Sequence, residues 1–122
     1  LGSNYAPFSL ILNAGQLQSR CSSSGAAWAV DLGGSPTLTV DTWVHYALTR
    51  QGTTFRHFIN GTLLATTTAA GALMTNTAGV YVGAASDGTS GFNGYMDELL
   101  VQKGIALYTA NFTPPAGPYP NP

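Results

Sequence analysis

The chain contains very few charged residues. Only 7% of its 122 residues are Asp, Glu, Lys or Arg, against roughly 25% in an average soluble domain. The net charge is −1, and the four basic residues are spread along the chain instead of forming a patch. We therefore expect no nucleic-acid partner, because binding to a phosphate backbone needs clustered positive charge. Disorder is also disfavoured, since disordered chains combine high charge with few apolar residues.

Long apolar runs and paired cysteines are lacking as well. No stretch of about 18 consecutive apolar residues occurs, so we expect no insertion into a membrane. Cys21 is the only cysteine, so it cannot form a disulfide within the chain, and it has no metal-ligand spacing. We expect it to be a small residue in a strand rather than a reactive thiol.

Acidic and nucleophilic groups are too sparse for the common hydrolase mechanisms. The acids are Asp31, Asp41, Asp87, Asp97 and Glu98. Glycoside hydrolysis needs two carboxylates about 5–9 Å apart, but Asp97 and Glu98 are neighbours in a predicted strand and should point to opposite faces. His45 and His57 also lie inside predicted strands, and no Gly-x-Ser-x-Gly motif accompanies them. We expect no enzymatic activity.

Small polar residues and glycines take the place of the missing charge. The chain has 15 Thr, 9 Ser, 7 Asn and 15 Gly, a mixture that disfavours helices and favours strands joined by tight turns. Asn60-Gly61 is the strongest hairpin signal, because both central residues of a type I′ turn need positive φ. Gly15-Gln16 predicts a second turn.

Apolar and β-branched stretches recur at a spacing of about 8–12 residues with turn residues between them, which predicts an all-β sandwich or barrel. The predicted strands are Pro7–Ala14, Leu17–Ser23, Ala27–Leu32, Trp43–Thr49, Phe55–Ile59, Leu63–Ala65, Val80–Ala84 and Phe92–Gln102. The strand that begins at Trp43 is expected to be central. Arg50, at its end, is expected to form an ion pair with Asp97 or Glu98.

Five segments, in their order along the chain, carry a likeness to a known family. They are WVHYALTR (43–50), FRHFING (55–61), VYVG (80–83), FNGYMDE (92–98) and YTANFTPP (108–115). Together they resemble the laminin G-like, concanavalin A-like lectin/glucanase family, in versions common in bacteriophage fibres and other virion-associated proteins. The resemblance implies an antiparallel two-sheet β-sandwich of jelly-roll type over residues 1–117, followed by a Pro-rich extended tail at residues 118–122.

The resemblance also implies a role and a location. Family members usually carry further strands before the position of Tyr5, so we expect a neighbouring protein chain of the same assembly to contact an open sheet edge. The expected function is that of a non-enzymatic structural or adhesive module on a virion surface, of the phage fibre or decoration type, or in another extracellular or secreted assembly. The alternative is a carbohydrate-binding lectin module, with a cell-surface glycan as its ligand and calcium as its one conceivable cofactor.

Two groups of residues are the candidate sites. Trp28, Asn93 and Tyr95 are the candidates for a glycan, because an aromatic ring can stack on a sugar while an amide binds its hydroxyls. Asp87, Asn93 and Asp97 are the candidates for calcium, which prefers oxygen ligands. The simpler interpretations are that Trp28 packs on a neighbouring strand and that the acids serve an Asx-type turn and a salt bridge.

Overall fold

The computed structural model describes residues 5–85 and 87–119. Three parts of the chain lie outside the described residues: residues 1–4 at the start of the predicted domain, Ser86, and residues 120–122 of the predicted tail. Within the described ranges the regular elements are all strands. No helix there has the length and apolarity that crossing a bilayer requires.

Six strands form two antiparallel sheets of three strands each. Sheet A contains, in spatial order, β1 (Ser9–Asn13), β2 (Gln16–Cys21) and β3 (Val30–Leu32). Sheet B contains, in spatial order, β4 (Tyr46–Gln51), β5 (Thr54–Ile59) and β6 (Thr62–Thr68). Each sheet is a meander in which consecutive strands pair, and the two sheets meet where β3 lies against β6. The predicted all-β, antiparallel sandwich is confirmed.

Tight turns join the strands of each hairpin. Asn60 and Gly61 have φ values of 48° and 78°, as the predicted turn between β5 and β6 requires. The turn between β1 and β2 is centred on Ala14 and Gly15, with φ values of 49° and 78°. It therefore lies one residue earlier than predicted.

The core lies between the inner faces of the two sheets. Cys21, Val30 and Leu32 from sheet A are buried against Phe55 of sheet B, and four partly buried side chains complete the cluster: Leu48, Ala65, Ala69 and Leu73. Strand alternation accounts for this arrangement, because every second residue faces inward. Burial raises the pKa of Cys21 to about 11, so the thiol is protonated, as expected for a packed strand residue.

The outer face of sheet B is covered by the C-terminal part of the chain. Phe58 is fully buried there, with its ring 5.4 Å from that of Phe112 and 6.4 Å from that of Tyr108. The rings of Tyr108 and Phe112 stack on each other. His45 packs edge-on against Phe112, and its Nε2 lies 3.1 Å from the Tyr119 hydroxyl. His45 is therefore a packed side chain that is hydrogen-bonded through one ring nitrogen.

His57 lies on the inner face of sheet B. The side chain is fully buried, and neither ring nitrogen has a hydrogen-bond partner. Burial lowers the pKa of His57, partly offset by the nearby carbonyl of Leu32. The ring meets that of Tyr46 edge-on at 5.5 Å. The imidazole is therefore a neutral core group.

The two strands predicted at Val80–Ala84 and Phe92–Gln102 are wrong. Positive φ values at Gly83 (81°) and Glu98 (53°) interrupt the extended backbone. The backbone hydrogen bonds that the described residues form in this region are local, such as Phe92 N–H to Gly83 O at 2.7 Å. A strand needs a neighbouring strand to receive its hydrogen bonds. We call residues 80–85 and 87–107 the exposed apolar segment, because its large apolar side chains face solvent: Val80, Tyr81, Val82, Phe92, Tyr95, Met96, Leu99, Leu100, Val101, Ile105 and Leu107.

Two expectations around β4 are also wrong. The strand expected to be central begins at Tyr46 instead of Trp43 and is an end strand of sheet B, and Trp43 precedes it with 68% of its surface exposed. Arg50 forms no ion pair with the acids at 97 and 98: it donates hydrogen bonds to the carbonyls of Gly52 and Gly71, and its guanidinium lies 4.9 Å from the Phe55 ring centre. The one ion pair among the described residues is in sheet A.

Candidate functional site

The outer face of sheet A carries a polar and aromatic surface. Ser19 and Cys21 of β2 face the core, so alternation directs Gln16, Gln18 and Arg20 outward. Asp31 of β3 is the register partner of Arg20, and it is exposed between two buried neighbours. Polar side chains from adjacent strands therefore meet on one face.

Asp31 connects these side chains. Its Oδ1 accepts a hydrogen bond of 2.6 Å from Gln18 Nε2, and its Oδ2 accepts one of 3.2 Å from Arg20 Nε. The side chains of Arg20 and Asp31 are 30% and 45% exposed, so solvent screens the pair and weakens it. The carboxylate mainly fixes the orientation of the amide and the guanidinium.

Trp28 lies at one end of this surface. Its ring meets that of Tyr5 at 5.1 Å in an edge-on arrangement, and the Arg20 guanidinium carbon lies 5.8 Å from its centre. The side chain is half-buried, so part of the indole remains accessible. Packing and accessibility thus coexist at this predicted glycan-binding residue.

A shallow depression of about 130 Å³ lies at the other end. It is lined by Asn13, Gln16, Leu17, Gln18, Gly33 and Gly34. Gln16 Nε2 donates to the Ser35 carbonyl at 2.9 Å, which holds that amide in place. Amide groups and glycine backbone are the donors and acceptors that bind hydroxyl groups. The depression suits a small polar ligand.

Asn93 and Tyr95, the other predicted glycan-binding residues, lie in the exposed apolar segment. Tyr95 is 87% exposed. Among the described residues, no hydrogen bond or ring contact joins either of them to Trp28. The structure therefore does not bring the three together, and their binding of a glycan stays a prediction.

The predicted calcium ligands also lie in this exposed segment. Asp87 Oδ1 accepts hydrogen bonds from the Thr89 N–H at 2.9 Å and the Thr89 hydroxyl at 2.7 Å, and the latter bond lowers the pKa of Asp87. Asp97 Oδ1 accepts from the Glu98 N–H at 2.8 Å. Within residues 5–85 and 87–119, no three acidic, histidine or cysteine side chains gather as a metal site would require. Asp87 thus serves the Asx-type turn of the simpler interpretation, and calcium binding with Asn93 stays a prediction.

Sequence reasoning missed most of the polar face. Gln16, Gln18, Arg20 and Asp31 were not among the candidates, although the period-two spacing of the first three indicates a shared face. The carboxylate could not be added to that face from the sequence, because the register of β2 and β3 is what brings it opposite Arg20.

Comparison with known proteins identifies the family. A laminin G-type family model described as the concanavalin A-like lectin/glucanases superfamily matches residues 2–107. Neither the curated proteins nor the solved structures contain a match. The matched range includes all six strands and the polar face of sheet A. The chain therefore belongs to the laminin G-like domains of the concanavalin A-like lectin/glucanase superfamily.

Proposed function

We propose that the chain is a non-enzymatic structural and adhesive module on the surface of a virion, of the phage fibre or decoration type, or of another extracellular assembly. Membership in the superfamily indicates a carbohydrate-binding or adhesive module. Beyond family membership, we propose that the domain is part of such an assembly and that neighbouring protein chains of the assembly are its partners.

The observation that carries this proposal is the apolar surface left on the chain. The accessible surface is 8329 Å², whereas a compact monomer of 12.6 kDa exposes about 6,200 Å². Eleven large apolar side chains between residues 80 and 107 are exposed. A large apolar surface is typical of protein contacts, because solvent-exposed apolar area is costly. We therefore assign the domain to a multi-chain assembly.

The acids support the non-enzymatic part of the proposal. Glu98 is the only glutamate, and its Oε2 accepts a hydrogen bond of 2.7 Å from the Tyr119 N–H. Its neighbour Asp97 is engaged with the Glu98 backbone. Both carboxylates thus have local structural roles. Incubation of the protein with a panel of polysaccharides should release no sugar, and turnover lost in Glu98→Gln would overturn this part.

Immunogold electron microscopy tests the location. An antibody against the domain should label the outside of intact particles or of the cell surface of the source organism. Labelling confined to the cell interior would contradict the proposal. Particles from which this coding region has been deleted serve as the control for antibody specificity.

Glycan binding is the second candidate, and the polar face of sheet A favours it. An accessible indole, a positioned carboxylate and an amide-lined depression on one face are the groups that bind a sugar ring and its hydroxyls. A glycan array should show binding that Trp28→Ala abolishes. Trp43→Ala is the matched control, because Trp43 is an exposed tryptophan that precedes a strand of sheet B.

The same array separates the predicted contributions of residues 87–97. Binding that is lost with a chelator and in Asp87→Asn or Asp97→Asn would support the calcium site. Binding lost in Tyr95→Ala or Asn93→Ala would add these residues to the glycan site. No binding to any glycan would rule out the lectin candidate and leave the structural proposal standing.

A further inference from the structure

We propose that the partner of this domain is a second copy of the same chain, and that the exposed apolar segment of each copy pairs with the free edge of β1 in the other. The inference rests on the function proposed above and names both the partner and the surfaces. Two chains would exchange the same pair of contacts around a twofold axis.

The first surface is the free edge of sheet A. β1 is the end strand, and among the described residues no backbone hydrogen bond joins it to a strand other than β2. Leu10 and Leu12 are the register partners of Ser19 and Leu17, and therefore point to the core side of the sheet. They are nevertheless 46% and 44% exposed. An edge strand with uncovered inward leucines is suited to accept an added strand.

The second surface is the exposed apolar segment. Leu99 is 66% exposed and Val101 is 64% exposed, so most of each side chain faces solvent. The backbone hydrogen bonds within the described part of this segment join nearby residues, for example Ala85 N–H to Thr89 O at 2.9 Å. Much of its backbone is therefore available to hydrogen-bond with another strand, while its apolar side chains could cover the leucines of β1.

The amount of surface fits a permanent dimer. The chain exposes about 2,000 Å² more than a compact monomer of its mass. Standard protein interfaces bury about 800 Å² per partner, and obligate ones more. Reciprocal burial of even half of the excess would therefore give an interface of ordinary stable size.

Both complementary surfaces belong to one chain, and this favours a second copy over an unrelated partner. In the structure the segment and β1 of the same chain share no backbone hydrogen bond among the described residues. A reciprocal exchange covers both apolar surfaces and both open edges at once, and it closes after two copies. An unrelated partner would have to match the two surfaces separately.

Sedimentation velocity of the full chain over a wide range of concentration tests the proposal. The unchanged protein should be a dimer. Leu12→Lys on β1 and Leu99→Lys on the segment should each raise the dimer dissociation constant about tenfold or more, because each places a charge in the apolar contact. Val40→Lys is the matched control: it changes an apolar residue that is 84% exposed and lies outside both surfaces, and it should leave the dimer intact.

A monomer at every concentration would overturn the inference, as would a dimer that neither lysine variant weakens, or an open-ended polymer. Hydrogen exchange of the unchanged protein decides the matter if a variant fails to fold. Amides of residues 9–13 and 92–101 should become protected together as concentration rises. Protection that does not depend on concentration would mean that the chain covers itself, which is also a contradiction.

The outcome is separable from that of the proposed function. A monomeric protein on the outside of particles would contradict the dimer and support the proposed surface role. A dimer found only inside cells would support the dimer and contradict the surface role.

Discussion

Sheet A and sheet B have the same number of strands but different surroundings. Sheet B is covered on both faces, by sheet A on the inside and by Tyr108 and Phe112 on the outside. Sheet A is covered on its inner face alone, and even there the leucines of β1 are partly open. Its outer face is polar and accessible.

The difference separates stability from binding. Burial of β5 on both faces makes sheet B the main source of stabilising apolar contact, because each buried aromatic side chain contributes roughly 2–3 kcal/mol. A sheet with a free edge and an accessible face can bind a partner without first losing internal contacts. We therefore expect substitutions in sheet B to change folding, and substitutions in sheet A to change recognition.

The largest effect is expected from Phe58→Ala. The side chain is fully buried under the ring of Phe112, so its removal should lower the free energy of unfolding by about 3–5 kcal/mol. Leu10→Ala on sheet A, where the side chain is 46% exposed, is the comparison and should cost about 1 kcal/mol or less. Urea unfolding measures both. Equal losses of unfolding free energy in the two variants would show that sheet B does not contribute more to stability than sheet A.

Gly61→Ala should be the next most damaging. Gly61 has φ +78°, its carbonyl accepts the Phe112 N–H at 2.9 Å, and an added Cβ would overlap the Phe112 carbonyl. We expect a loss of about 3 kcal/mol, from backbone strain and the displaced cover of sheet B. Gly52→Ala is the control, with a similar φ of +59° and open space around it. It should cost about 1–2 kcal/mol from the backbone alone. Similar thermal shifts in both variants would mean that the C-terminal cover contributes little.

Acid should destabilise sheet B. Burial lowers the pKa of both His45 and His57 below the ordinary value of 6.5. The unfolded chain therefore binds protons near pH 6.5 that the folded chain does not, so the free energy of unfolding should fall as the pH drops below that value toward the folded-state pKa. Urea midpoints across this range measure the slope. His57→Leu should flatten it, and an unchanged slope would show that His57 does not contribute.

The smallest effect is expected from Asp31→Asn. Arg20 and Asp31 form a partly exposed pair, so its loss should cost at most about 1 kcal/mol, and less at high salt. Urea unfolding at low and high salt checks this. A loss as large as that of Phe58→Ala would mean that the outer face of sheet A stabilises the fold and is not simply a surface for binding.

Local patterns predicted β1, β2 and β5 closely, whereas β3 and β4 begin three residues later than predicted and β6 continues three residues beyond its predicted end. The turn at Asn60-Gly61 was predictable because few residues tolerate positive φ, and the neighbouring strands follow from their alternation. The strands predicted at 80–84 and 92–102 are not formed. Apolar residues only favour an extended backbone, whereas a strand also needs a segment distant in the chain to pair with. In the same way, Trp28 could be chosen from its local setting, but its connection through Arg20 to Asp31 depends on strand register.

The sequence by itself determined the all-β class, the hairpins and the shortage of reactive groups, because composition, alternation and turn chemistry act over a few residues. Only the tertiary structure decided which face of each sheet is covered, that His57 is buried, and which apolar residues remain exposed. Burial is a property of contacts between residues far apart in the chain, so no local pattern specifies it.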